Sequence, residues 1–123
     1  MCNTMRKKIA VVDDDSELLE TLEIILDGEG YDVDAIGSKI KLKAIEDIKP
    51  DLLIIDVWFG DEPFGIQLAK SVKSDDALDE TTLLLVSSDP RIREYARQTK
   101  ADYYLEKPFS IEELLRKIDY ALH

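Results

Sequence analysis

Residues 51–57 read Asp-Leu-Leu-Ile-Ile-Asp-Val, a continuous apolar run with an aspartate at either end. A strand with one wet face alternates apolar and polar residues, whereas an unbroken run has no wet face at all. This segment therefore needs cover on both sides, which is what a parallel sheet sandwiched between helices supplies. "LLLVSS" from Leu83 to Ser88 repeats the pattern, and "KIAVVD" from Lys8 to Asp13 is a third buried run. Two weaker runs, "YDVDAI" from Tyr31 and "ADYYLE" from Ala101, complete a set of five.

Between these runs the apolar spacing changes to that of helices. Leu18, Leu19, Leu22, Ile25 and Leu26 share one helix face, and Gly28 and Gly30 stop it. Ile40, Ala44, Ile45 and Ile48 form a second stripe, closed by Pro50. Ile66, Ala69 and Val72 predict a third helix, and Ile92, Tyr95 and Ala96 a fourth. The fifth begins at Ser110, which with Glu113 has the spacing of a capping box, and it carries Ile111, Leu114, Leu115, Ile118 and Leu122. Five strand–helix pairs joined by short connections predict one doubly wound α/β domain with right-handed crossovers.

Composition narrows the partners. At 123 residues there is room for one core and no second domain. A net charge of −11 opposes broad contact with nucleic acid or anionic membrane, because phosphate binding needs clustered lysine and arginine. Proteins and cations are the expected partners. No stretch approaches the roughly 20 apolar residues of a membrane span, and "MCNTMRKK" has no apolar region behind its basic residues. The single cysteine, Cys2, has no intrachain partner, which suits a reducing compartment. A cytoplasmic location is expected.

In open α/β sheets ligands bind beyond the carboxyl ends of the strands. Asp13 and Asp14 end the first strand, Asp56 the third, and Ser87 and Ser88 the fourth, while Lys107 follows the fifth. Three converging carboxylates repel one another unless their pKa values rise or a metal intervenes. Oxygen donors with no nearby His or Cys favour a hard cation such as Mg²⁺. The competing reading is structural: Asp14 or Asp15 caps the first helix, with Asp14 and Glu17 spaced as a capping pair.

Taken together, "VVDDD", "LLIIDV", "LLLVSS" and "YYLEKPF" resemble, in order and spacing, the receiver domain of two-component response regulators, over about Lys8 to Leu122. The resemblance implies a flavodoxin-like (βα)5 fold with strand order 2-1-3-4-5, residues 1–7 being a tail and 8–123 the single domain. It implies that Asp56 accepts a phosphoryl group from a sensor histidine kinase or phosphotransfer protein. Asp13, Asp14, Asp56 and the backbone carbonyl of Trp58 correspond to the Mg²⁺ site. Lys107 corresponds to the lysine that pairs with the acceptor, with a cis bond to Pro108. By the same resemblance Ser87 corresponds to the hydroxyl switch and Tyr104 to the aromatic one, with Tyr103 as the alternative exposed ring. Output is expected through the face of the fourth helix, fifth strand and fifth helix, to a downstream protein target, an effector domain or a second copy of the chain.

The departures lie after Asp56. Where the family has Met-Pro, this chain has Phe59 and Gly60, and the family's loop glycine comes one residue late, at Gly65. The loop is expected to be longer and reshaped. Lys100 also stands where the family often has glycine. Trp58 is read either as a shield that excludes water from the acyl phosphate or as an outward anchor for a partner, and Asp89 as a group that could orient a water. Three functions remain open on sequence: a phosphorylatable switch, a phosphorylation-independent interaction module, and a small Mg²⁺-dependent aspartyl phosphatase. The last lacks an obvious substrate cap, and Asp56 is followed by Val57 and Trp58 and not by a second carboxylate placed as acid/base. The end of the chain just past the fifth helix fits either a single-domain regulator or a receiver cut from a larger protein.

Overall fold

The computed structural model describes residues 6–123, so Cys2 lies outside the described residues. The elements run β1 (Lys8–Val12), α1 (Ser16–Gly28), β2 (Asp32–Ile36), α2 (Leu42–Ile48), β3 (Leu52–Asp56), α3 (Phe64–Lys73), a 3-10 turn (Asp76–Leu78), β4 (Thr82–Ser87), α4 (Ile92–Thr99), β5 (Tyr103–Glu106) and α5 (Ile111–Leu122). All strands pair in parallel in the order β2-β1-β3-β4-β5.

The unbroken apolar runs end up in the middle of this sheet, where each strand has a neighbour on both sides and helices on both faces. Successive side chains on a strand point to opposite faces, so the runs feed two cores. Ala10, Val12, Leu53, Ile55, Leu83 and Leu85 pack beneath α2, α3 and α4, against Ile45, Leu68, Val72, Ile92 and Tyr95. Ile9, Val11, Leu52, Ile54, Leu84 and Val86 face α1 and α5, against Leu19, Leu22, Leu26, Leu114 and Ile118. Truncating any of the buried leucines to alanine would cost about 2–5 kcal/mol, because transfer and cavity terms add.

The helix ends explain where sequence periodicity succeeds and where it overreaches. Asp15, not Asp14, caps α1: its side chain accepts from the backbone N–H of Glu17 and Leu18 at 3.1 and 3.2 Å. Gly30, at φ +95°, turns the chain after α1. Arg6 then holds that end, donating to the carbonyls of Gly30, Tyr31 and Asp27. Helix α2 begins only at Leu42, which leaves Ile40 outside the helix although half-buried against its core. Lys49, in the left-handed region, terminates it before Pro50. The capping box at Ser110 forms as the spacing predicts, with reciprocal bonds to Glu113 of 3.0 and 3.1 Å. The strand at the outer edge, β2, exposes Asp32 and Asp34 on either side of half-buried Val33. Among the described residues no helix is long and apolar enough to cross a membrane.

Candidate functional site

The carboxyl ends of β1 and β3 lie side by side, with Val12 opposite Ile55 in the register, so the next residues, Asp13 and Asp56, meet. Asp13, Asp14 and Asp56 each offer an oxygen within 4.8 Å of the others. Asp13 and Asp56 are buried, while Asp14 is exposed. Lys107 enters from the loop after β5 and donates to both buried carboxylates, at 2.8 Å to Asp13 Oδ2 and 3.1 Å to Asp56 Oδ2. Its backbone N–H is held by the Ser87 carbonyl at 2.8 Å, and the Lys107–Pro108 bond is cis. The other Asp13 oxygen accepts from the Asp15 N–H at 2.9 Å, which orients the carboxylate within its own turn.

Burial dominates the electrostatics. It pushes the Asp56 carboxyl up to about 6, with the Asp13 charge adding to the effect and Lys107 opposing it. For Lys107, burial works against the charged form, but the hydrogen bond to Asp13 and the charges of Asp56 and Asp13 outweigh it and raise the ammonium pKa. The ammonium thus offsets part of the carboxylate repulsion and leaves the rest. An all-oxygen donor set with residual negative charge suits a hard divalent cation, so Mg²⁺ fits these residues.

The loop after Asp56 is reshaped by a small hairpin. Phe59 and Glu62 exchange backbone hydrogen bonds at 2.9 and 3.0 Å around Gly60, whose φ of +61° is the left-handed conformation that such a turn needs. The Gly60 N–H donates to Asp14 Oδ2 at 2.9 Å, and Lys39 pairs with Glu62. The Phe59 ring turns inward onto Phe64 at 5.1 Å. After the hairpin, α3 comes back very close to the end of β3. A Cβ on Gly65 would lie 2.0 Å from the Asp56 carbonyl oxygen, so only glycine fits there. The late glycine and the hairpin are thus one adjustment: the extra residue is taken up in the turn, and Gly65 restores the approach.

Ser87 is fully buried at the end of β4, next to the Asp56–Val86 pair, and its Oγ accepts from the Asp89 N–H at 3.0 Å. On β5, Tyr104 is the more exposed of the two tyrosines, and Tyr103 packs edge-on against Tyr120 at 5.8 Å. Trp58 is half-buried. Its N–H points at Asp56 Oδ1 from 3.4 Å, and its indole Nε1 donates to Asp89 Oδ2 at 3.2 Å. Asp89 therefore cannot act as a water-orienting group. Besides Trp58, it accepts from the Arg91 backbone N–H, Nε and Nη2 and from the Tyr95 hydroxyl, and these five contacts fill its lone-pair positions. The hydrogen bonds from Arg91 hold its pKa far below the usual carboxylate range. Sequence reading missed Arg91 and Tyr95 here, since no periodicity marks a side chain that leaves a helix to reach a loop carboxylate.

Residues 9–119 match the family model of the response regulator receiver domain. The DNA-binding response regulator MtrA of Mycobacterium tuberculosis is 33% identical over 117 residues, which are 94% of this chain and 50% of MtrA. The chain spans about half the length of the curated relatives it matches. Among solved structures, a putative response regulator from Chloroflexus aurantiacus superposes with a TM-score of 0.85 at 30% identity, covering 96% of this chain and 98% of that one. The response regulator TrrA of Thermotoga maritima, in complex with Mg(2+)-BeF, gives 0.80 at 27% identity over 94% of this chain and 99% of that one.

Proposed function

The chain belongs to the response regulator receiver domain family, and from that premise we propose that it is a phosphorylation-dependent switch whose acceptor is Asp56. Receiver domains of response regulators are signalling switches and not classical enzymes. The observation that carries this reading is the meeting of Asp13, Asp14 and Asp56 with the Lys107 ammonium at one sheet end. In the step itself, an Asp56 carboxylate oxygen forms a bond to the phosphorus of a phosphohistidine on a sensor kinase or phosphotransfer protein. The phosphorus–nitrogen bond breaks, and the imidazole leaves and takes up a proton. Such transfer asks for positioning and charge compensation more than for covalent help.

Asp13, Asp14, Asp56 and the Trp58 carbonyl would hold Mg²⁺, which supplies charge neutralisation on the phosphoryl oxygens when bound. Lys107 keeps its proton and follows the charge from carboxylate to phosphoryl oxygen. Ser87 stands one residue beyond the Val86 that pairs with Asp56, where its hydroxyl can donate to a product oxygen. The loop of Ser87 then draws inward, the Tyr104 ring follows, and the face of α4, β5 and α5 changes its affinity for a downstream target, an effector domain or a second copy. Only a phosphoryl group that binds one packing better than the other can drive that shift. The setting we assign is cytoplasmic, with no nucleic acid or membrane bound by this chain directly.

Treatment with acetyl phosphate and Mg²⁺ should raise the intact mass by one phosphoryl group, and chelation should prevent it. If Asp56→Asn labels as well as the parent, the assignment is wrong.

A further inference from the structure

Asp89 lies outside the acidic site, yet its carboxylate joins three separate pieces of the fold. Trp58 comes from the loop after β3, Arg91 from the loop after β4, and Tyr95 from the middle of α4. The Tyr95 hydroxyl reaches Asp89 Oδ2 at 2.9 Å, beside the Trp58 indole N–H on the same oxygen. The Arg91 guanidinium lies 5.4 Å from the centre of the Tyr95 ring, so it packs on the ring as well as binding the carboxylate. The Tyr95 ring is buried in the core beneath α4, which gives the clasp a rigid footing.

The geometry bears on the acceptor from both sides. Trp58 begins two residues after Asp56 and ends on a residue two after Ser87, so its side chain spans the gap between the ends of β3 and β4. Its apolar part rests on the core under α2, α3 and α4. The same Asp89 that holds the indole also donates its backbone N–H to Ser87 Oγ. The Trp58 backbone N–H points at the Asp56 carboxylate while its indole N–H is held on Asp89, so the residue bridges the acceptor's strand end and the loop after β4.

We propose that Tyr95 is a positioning residue for the phosphoryl site: through the Asp89 carboxylate it holds the Trp58 indole at the rim of Asp56, and so slows the entry of water to the acyl phosphate. The inference rests on Asp56 being the phosphoacceptor. The reaction it governs is attack of water on phosphorus with cleavage of the bond to the Asp56 oxygen, which releases inorganic phosphate and regenerates the carboxylate. Because Tyr95 sits on α4, a partner that presses on that helix acts on the lifetime of the phosphorylated state.

Trp58 is the only tryptophan, so its fluorescence reports the clasp without any phosphorylation. Tyr95→Phe removes only the hydroxyl, and Asp89→Asn keeps the shape of the hub while removing its charge. Both variants should make Trp58 more accessible to acrylamide. In protein labelled with acetyl phosphate and Mg²⁺, Tyr95→Phe should speed phosphoryl loss about fivefold, the size of one net hydrogen bond. Trp58→Phe should speed it at least as much, and the double variant should be no faster than Trp58→Phe alone, because both changes act through one ring. Unchanged quenching in both hub variants overturns the proposal, as does a double variant in which the two effects multiply. A variant that merely weakens the core lowers the melting temperature without this non-additivity. A parent that takes no phosphoryl group overturns the phosphoacceptor reading and with it the role in lifetime, while quenching still decides whether the clasp holds the indole.

Discussion

The Lys107 ammonium is 2.8 Å from Asp13 and 3.1 Å from Asp56, so one cation ties the buried carboxylate after β1 to the one that ends β3. It is the only counter-charge hydrogen-bonded to either carboxylate among the described residues. Replacing Lys107 with Met would leave two buried carboxylates facing each other. Metal-free protein should lose about 3 kcal/mol in urea unfolding, as when one partner of a buried ion pair is removed. Adding Mg²⁺ should recover much of that loss, and a variant as stable as the parent without metal would contradict the account.

The pH dependence of metal-free protein follows from Asp56. Its folded pKa is raised to about 6, so below about pH 3 the carboxyl is protonated whether folded or unfolded. As pH rises the unfolded chain ionises first, so the stability from this group is lost as pH passes through the folded value. Asp56→Asn carries no such cost. Its stability advantage over the parent should be near nil at pH 3 and roughly 1–2 kcal/mol at pH 7.5, allowing for solvent screening. An advantage that does not change with pH would refute the assignment of the shift.

The three consecutive aspartates divide their work. Asp15→Ala removes the α1 cap and should cost about 1 kcal/mol while leaving Mg²⁺ affinity unchanged. Asp14→Ala removes both an oxygen of the acidic cluster and the acceptor of the Gly60 N–H. Affinity measured by calorimetry should then fall at least about tenfold. Equal effects on affinity from the two variants would mean that the roles are wrongly divided.

Two glycines in the loop after Asp56 should respond differently to alanine. At Gly60 there is open space and only the left-handed backbone resists, so Gly60→Ala should cost about 1 kcal/mol. At Gly65 the new carbon would sit 2.0 Å from the Asp56 carbonyl oxygen, so α3 or the acceptor must move. Gly65→Ala should cost about 3 kcal/mol or more by equilibrium unfolding. Similar losses at the two positions would show that α3 is less tightly seated than the geometry says.

Beryllofluoride with Mg²⁺ should shift the backbone resonances between Ile92 and Tyr104, as Ser87 is drawn inward and the Tyr104 ring moves with it. Ser87→Ala should reduce those shifts while leaving the acidic cluster in place. Identical spectra with and without the mimic would rule out output through α4 and β5.

Most of the fold was legible because its signals are local and redundant. The apolar runs at Ile9–Val12, Leu52–Ile55 and Leu83–Val86 have no other stable home than a covered sheet, and the strand order agrees with the resemblance. The acidic pair, Asp56 and Lys107 could be placed together because each lies at or just beyond the carboxyl end of a strand. What escaped is what depends on contacts between elements. Ile40 continued the spacing of α2, but the helix starts after it. The hairpin of Phe59 to Glu62 depends on a positive φ at Gly60 and on Asp14 across the site. Asp89 read as an open carboxylate because sequence spacing does not show that Trp58, Arg91 and Tyr95 converge on it.

The outer strand β2 has a further consequence. Its free edge offers unpaired backbone groups to any extended segment, the usual starting point for fibril growth and strand swapping. Asp32 and Asp34 stand exposed along that edge. Stacking copies of this strand in register would bring like charges to the inter-strand spacing of about 4.8 Å, repeated with every copy added. Self-templated assembly through β2 is thereby opposed by the strand's own carboxylates.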